Sequence, residues 1–374
     1  MRSAALQTMK ETKENPTPQA RRFNRFAEKY SPRIDLSIEK YFAGKKKDAG
    51  HAFMAVIVND LAEYCLRPGK RLRPLVLIAA YQGYGGNASS LGEILAIASS
   101  LELMHSFLLV QDDIIDRSSV RRGGDAFHLL MQRRFAGLTR NSGIGSDVAL
   151  VAADVLFCDA LQLILGAKID GAARESFLGL FARAYERTAW GQILDIINTR
   201  PLALRTGDTA AREIGLMKTA YYTVYYPLLM GCALAGVSLA RERRAIGRFA
   251  LPLGHAFQVR DDILGVFGDK IEMGKSADSD IMEGKKTVLV QNAIELLDAG
   301  ERKRFAKLFT KPGKTKADIA RIRAVMRESG ALAAAEEMHR SLIGQAVRAV
   351  PSLGINAEGM DLLRGLCAAI GELK

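Results

Sequence analysis

The chain has 374 residues, 48% hydrophobic and 25% charged, with a formal net charge of +12, a balance ordinary for a soluble protein able to bury a sizeable core. The basic surplus would suit nucleic acid, an anionic membrane or anionic small molecules, but there is no aromatic-interleaved RNA motif, zinc-finger spacing or sustained basic helix, so no nucleic-acid partner is expected. Cys65, Cys158, Cys232 and Cys367 form neither a CxxC nor a metal spacing and read as buried free thiols of a reducing, cytoplasmic compartment.

In chain order, residues 1–18 (MRSAALQTMKETKENPTP) lack a hydrophobic signal core and read as a disordered extension. From about Gln19 helical periodicity dominates and period-two runs are nearly absent. Helices are expected over 49–65, 72–84, 91–116, 147–165, 172–198, 209–218, 221–236, 240–267, 288–297, 317–328, 332–350 and 357–371. Pro, Gly and Asn clusters mark breaks near 67–69, 83–87, 123–124, 141–145 and 311–314. The stretch from Thr219 to Ala240 carries no charge and is long enough to span a bilayer. It reads instead as a buried central helix, with no membrane span. No low-complexity linker divides residues 19–374, so a single large all-α bundle around a central cavity is expected.

Two acidic motifs interrupt apolar surroundings: SFLLVQDDIID (106–116) and HAFQVRDDILGVFGD (255–269). Carboxylates rarely enter such surroundings without cationic compensation. Asp112 and Asp116 are four apart, so on a helix they share a face and can hold one ion. Oxygen ligands without His or Cys favour a hard cation such as Mg²⁺, whose shell is completed by water and phosphate. Basic groups accompany them: GKRLRP (69–74), Arg121-Arg122, Lys218 before the uncharged stretch, and Lys275, Lys285 and Lys286 after the second motif. Each alone reads as a solvated basic loop or a salt-bridged helix end.

Together and in this order, GKRLRP, His105, DDIID (112–116), RRG (121–123), GQILD (191–195), KT (218–219), FQVRDDILG (257–265) and GKSADSDIMEGKKT (274–287) resemble a trans-isoprenyl diphosphate synthase of the polyprenyl synthetase family, geranylgeranyl diphosphate synthase-like. The likeness covers roughly residues 50–290. Three positions depart from the family pattern. Gly265 stands where many members carry a third aspartate, GDAFH replaces a Pro- and Thr-containing segment before His128, and Gln111 stands where a His is frequent.

The resemblance implies a Mg²⁺-dependent prenyltransferase, usually a homodimer, that joins an allylic diphosphate (dimethylallyl, geranyl or farnesyl) to isopentenyl diphosphate head to tail. It implies metal ligation by Asp112, Asp116 and Asp261, with three ions per site, and an allylic-diphosphate clamp of Arg121, Lys218, Lys275 and Lys285. Lys70, Arg73, His105 and Arg122 would bind isopentenyl diphosphate. Thr219 and Gln258 would face the carbocation, while Asp113 and Asp262 would support from behind. Phe107, five before the first aspartate, and Leu108 would limit elongation, suggesting a C20 product. Alternatives are a farnesyl or longer polyprenyl synthase, a non-catalytic regulatory subunit, and a terpene cyclase, against which GKRLRP and FQVRDD argue.

Overall fold

Thr17 starts the first helix, α1 (Pro18–Lys47): its hydroxyl accepts from Ala20 N, Pro18 occupies the first turn, and Lys45, Lys46 and Lys47 meet the negative end of the helix dipole. Its buried stripe runs Ala20, Phe23, Phe26, Tyr30, Ile34, Ile38, Phe42. The chain is seen here in a computed structural model that describes residues 16–138, 140–198, 207–268 and 278–372.

There follow α2 (Ala52–Leu66), α3 (Leu72–Gly83) and, after a 3₁₀ turn, the central α4 (Leu91–Ile115). Helix α4 is apolar on nearly every side, as a helix surrounded by others must be. A two-stranded hairpin, Val120–Arg121 with Gly124–Asp125, separates α4 from α5 (Phe127–Phe135). Then come α6 (Ile144–Gly166), α7 (Gly171–Asn198) and the short α8 (Ala210–Ile214), which runs into a π-helix at Gly215–Tyr225 and on into α9 (Tyr226–Leu234). Helix α10 (Leu239–Phe267) carries the second acidic motif. Beyond it lie α11 (Ser279–Glu283), α12 (Val288–Leu296), α13 (Ala299–Phe309), α14 (Lys316–Glu328), α15 (Ala331–Ala349) and α16 (Ala357–Gly371).

The all-α expectation holds. One hydrophobic core joins α1 to α7 with α9, α16 and the first half of α10. A smaller one joins the second half of α10, through Val259, Ile263 and Val266, to α11–α15. Helix α10 is therefore common to both, which fixes the C-terminal helices against the main bundle.

Several details differ from the expected elements. Helices α1, α5, α11 and α13 had no separate counterpart among them, and the 209–218 and 221–236 helices are one continuous rod through the π-helix. Cys158 is exposed, whereas Cys65, Cys232 and Cys367 are buried. The uncharged stretch is largely buried as expected, but among the described residues the helices long and apolar enough to cross a membrane are two others, Ala88–Ile115 and α6. The apolar window of the first is 72% buried in the fold and that of α6 only 39%, so α6 has an apolar side that this chain alone does not cover.

Candidate active site

Asp112 lies in the last turn of α4 and Asp116 caps it. Carboxylates at the negative end of a helix repel its dipole and call for cations. Two lysines distant in sequence supply them, Lys218 from the π-helix and Lys285 from the loop after α11. Lys218 Nζ lies 3.1 Å from Asp112 Oδ1 and 2.9 Å from Asp195 Oδ2 of α7. Lys285 Nζ lies 2.6 Å from Asp116 Oδ2 and 2.9 Å from Glu283 Oε2. Burial alone would push both ammonium groups down. The facing carboxylates more than reverse this, holding Lys218 above its ordinary value and Lys285 well above it. Behind them Asp113 is fully buried and holds Arg121, which contacts it through Nε at 2.9 Å, with the Tyr64 hydroxyl donating from 3.2 Å. Arg121 Nη2 also reaches Asp112 Oδ2 at 3.5 Å.

Two glycines bring Lys218 into place. A Cβ on Gly191 would meet Lys218 N at 2.5 Å, and one on Gly254 would meet Ala220 Cα at 2.5 Å. The π-helix is thus clasped between α7 and α10 at backbone contact. π segments frequently mark functional sites. Here the sequence neighbours Lys218 and Thr219 reach different walls: Lys218 turns to α4 and α7, and Thr219 donates to Gln258 Oε1 on α10. Gln258 Nε2 then donates to Asp262 Oδ1 at 2.7 Å, and Val288 N donates to its other oxygen at 3.2 Å. Burial outweighs these bonds and pushes Asp262 up to about 7.

Asp261 is raised by burial, against the pull of Lys70, Arg260 and Arg73 and with the push of Asp280. The Asp280 carboxylate packs against Gly265, and a side chain there would require Asp280 to swing aside. The helix position that departs from the family pattern is thus filled by a carboxylate from α11. Lys285 is raised chiefly by Asp112 and Asp116, then by Glu283 and Asp280, so it stands among carboxylates of α4 and α11. Lys275 lies outside the described residues.

A second basic cluster lies deeper. Arg73 stacks on the Tyr222 ring 4.2 Å from its centroid, with His105 6.1 Å from the same ring. Glu102, 1% exposed, accepts from Arg71 Nη1 at 2.7 Å and Arg122 Nη2 at 2.9 Å. Burial would raise that carboxyl, but Arg71, Arg122 and Arg73 hold it below its usual range. Burial and the surrounding arginines keep His105 well below its ordinary value, hence neutral. Arg73 Nε and Arg122 Nη1 are buried without a hydrogen-bond partner, a costly state that an anion would relieve. Lys70 sits 5.5 Å from the Phe257 centroid. The non-glycine residues with left-handed backbone, among the described residues, are Arg71, Arg117 and Arg122 (φ 48°, 54° and 52°). All three flank this acid-and-base cluster.

Sequence reasoning passed over Glu102, Asp195, Tyr222, Tyr64 and Asp35, which pairs with Arg71 at 2.7 Å. Glu102 is three residues before His105 and Asp195 closes GQILD, so helical spacing alone could have placed both on the site. Tyr222 and Asp35 left no such signal.

Among the described residues no three His, Cys, Asp or Glu side chains converge closely enough to hold an ion alone. The all-oxygen donors, Asp112 and Asp116 at the end of α4 and Asp261 on α10, suit Mg²⁺ held by one or two carboxylates with phosphate oxygens and water completing its shell. A cavity of about 1110 Å³ lies elsewhere, among α1, α2 and α6, lined by Met54, Ile57, Val58, Val151 and Val155; it is remote from this chemistry.

Carboxylates at the end of an apolar helix, paired with lysines and neighboured by buried arginines with unpartnered donors, suit an anionic, phosphate-bearing substrate met with metal. The polyprenyl synthetase family model matches residues 55–326, and the chain belongs to that family: it is a trans-prenyltransferase. Over 310 residues it is 30% identical to a geranylfarnesyl diphosphate synthase of Aeropyrum pernix, covering 81% of this chain and 90% of the relative. It is also 30% identical to a geranylgeranyl diphosphate synthase of Sulfolobus acidocaldarius, covering 67% and 71%. A geranylgeranyl pyrophosphate synthase from Corynebacterium glutamicum, solved with isoprenyl diphosphate and magnesium, superimposes with a TM-score of 0.87 at 27% identity, covering 93% of this chain and 99% of that one.

Proposed function

We propose that the protein condenses an allylic diphosphate with isopentenyl diphosphate to make geranylgeranyl diphosphate, a C20 product, in the cytoplasm. The observation that carries this reading is the pairing of two unlike basic sites. One faces the carboxylates through Lys218 and Lys285. The other, around Arg73 and Arg122, has buried donors without a hydrogen-bond partner. Two anionic substrates, one met with metal and one without, need that division.

In this reading Asp112 and Asp116 hold Mg²⁺ from α4 and Asp261 from α10, three ions per site. Bound Mg²⁺ supplies neutralisation of the charge that grows on the departing diphosphate. Arg121, Lys218, Lys275 and Lys285 grip the same diphosphate. Lys70, Arg73, neutral His105 and Arg122 seat isopentenyl diphosphate so that its double bond lies beside the departing carbon. Thr219 and Gln258, fixed by their mutual hydrogen bond, keep a constant dipole direction at the cation. The relatives' names, geranylgeranyl and geranylfarnesyl diphosphate synthase, support a medium-length product.

The protein acts as a homodimer through α6 and α7. Leu150, Val151 and Leu165 on α6, and Trp190 and Ile197 on α7, are each at least half exposed, more apolar surface than a monomer usually leaves in one region. A domain spanning 19–374 serves one site.

The test is incubation of purified protein with Mg²⁺, labelled isopentenyl diphosphate and each of the dimethylallyl, geranyl and farnesyl primers. Elongation to a C20 product, lost on chelation, is expected; no elongation of any primer overturns the reading.

A further inference from the structure

Three helices each place one aromatic ring in a closed triangle on the bundle side of the acidic turn. Phe107 of α4 lies 5.4 Å, centroid to centroid, from Phe157 of α6 and 5.5 Å from Tyr185 of α7; Phe157 and Tyr185 are 5.1 Å apart. Phe181 continues the stack 5.9 Å from Phe157. Rings at such separations are in van der Waals contact and leave no passage for a hydrocarbon chain between them. Phe107 is five residues before Asp112, about 7–8 Å along α4. It is fully buried, while Phe157 and Tyr185 are half-buried.

Truncating Phe107 removes one corner only. The other two rings remain in contact, anchored on separate helices, and still close the space behind it. We propose that the end of the product tunnel is this three-ring barrier, so that Phe157 and Tyr185 determine product length together with Phe107. The proposal rests on the chain-elongation reading above. It adds the α6 and α7 residues that no motif marks. A growing tail meets Phe107 first, and its further growth is stopped by the contact between Phe157 and Tyr185. Tyr185 acts through its ring, not its hydroxyl.

The experiment compares product length, by reversed-phase chromatography of dephosphorylated products, for wild type, Phe107→Ala, Phe107→Ala/Phe157→Ala, Phe107→Ala/Tyr185→Ala and Tyr185→Phe. Phe107→Ala is expected to lengthen the product by an isoprene unit, and each double variant to lengthen it further. Tyr185→Phe is expected to keep the wild-type length. Leucine replaces alanine at 157 or 185 if a double variant does not fold. Double variants whose products match those of Phe107→Ala overturn the barrier and leave Phe107 as sole floor. A changed length in Tyr185→Phe overturns the role of the ring. Failure of the elongation reading itself shows separately, as absence of any elongated product from wild type.

Discussion

Lys285 and Asp116 stand 2.6 Å apart, tying the loop after the second acidic motif to the end of the helix that carries the first. The contact gives one ammonium to an acidic helix end that needs it, and places the same ammonium where a diphosphate would arrive. Lys285→Ala should therefore lower kcat/KM by about 10²-fold, a loss typical of removing one preorganised charge-stabilising group. The melting temperature should hardly move. Steady-state kinetics beside thermal unfolding checks this; unchanged kcat/KM would show that the lysine serves only the helix end.

Glu102 neutralises two buried arginines at once. Glu102→Gln should destabilise the fold by about 3–5 kcal/mol, the cost of breaking a buried ion pair from one side, and raise KM for isopentenyl diphosphate more than for the allylic primer. Chemical denaturation and the two separate KM values decide it. Equal effects on both substrates would place Glu102 outside the isopentenyl pocket.

Gly191 permits the backbone contact that seats Lys218. Gly191→Ala should cost about 1–3 kcal/mol through overpacking and reduce turnover, because the π-helix must retreat from α7. Urea unfolding and kcat report the two effects. A fully active, fully stable variant would show that the clasp is slack.

Burial, with Arg212 adding to it, lowers His255 from an ordinary 6.5 to about 4. The folded state thus binds this proton more weakly than the unfolded state does. The stability that comes from keeping His255 neutral is full above pH 6.5 and is lost as pH falls toward 4, by up to about 3 kcal/mol. His255→Gln should flatten the stability curve between those values. Denaturation midpoints measured across that window test it, and an unchanged slope would point to other groups.

The apolar side of α6 and α7 should dissociate on charging. Val151→Glu with Trp190→Glu is expected to halve the particle mass in light scattering. An unaltered mass would move the dimer contact elsewhere.

The chemistry was more legible in the sequence than the geometry that delivers it. Asp112, Asp116, Lys218 and Lys285 could be read because charge inside apolar runs demands a reason, and the structure brings them together. Helix α1 was harder to read, since Arg21, Arg22 and Arg25 are interleaved with its buried Ala20, Phe23 and Phe26 and resemble a solvated tail. The π-helix could not be read at all. Its register depends on two glycines, one far before it and one after, allowing backbones to touch. Nor could Asp280's place against Gly265 be foreseen, because it arises from the packing of α11 on α10. Residues paired across tens of positions by packing leave no periodic trace.

The left-handed arginines have a consequence for how such a protein can be improved. A backbone there costs any residue but glycine on the order of 1–3 kcal/mol, so glycine at 71 or 122 would relax the chain while removing the guanidinium that Glu102 and the substrate pocket rely on. Leaving the buried Glu102 short of a partner costs about 3–5 kcal/mol, more than the strain of the turn, so selection for heat resistance and selection for turnover should both keep arginine at these two turns.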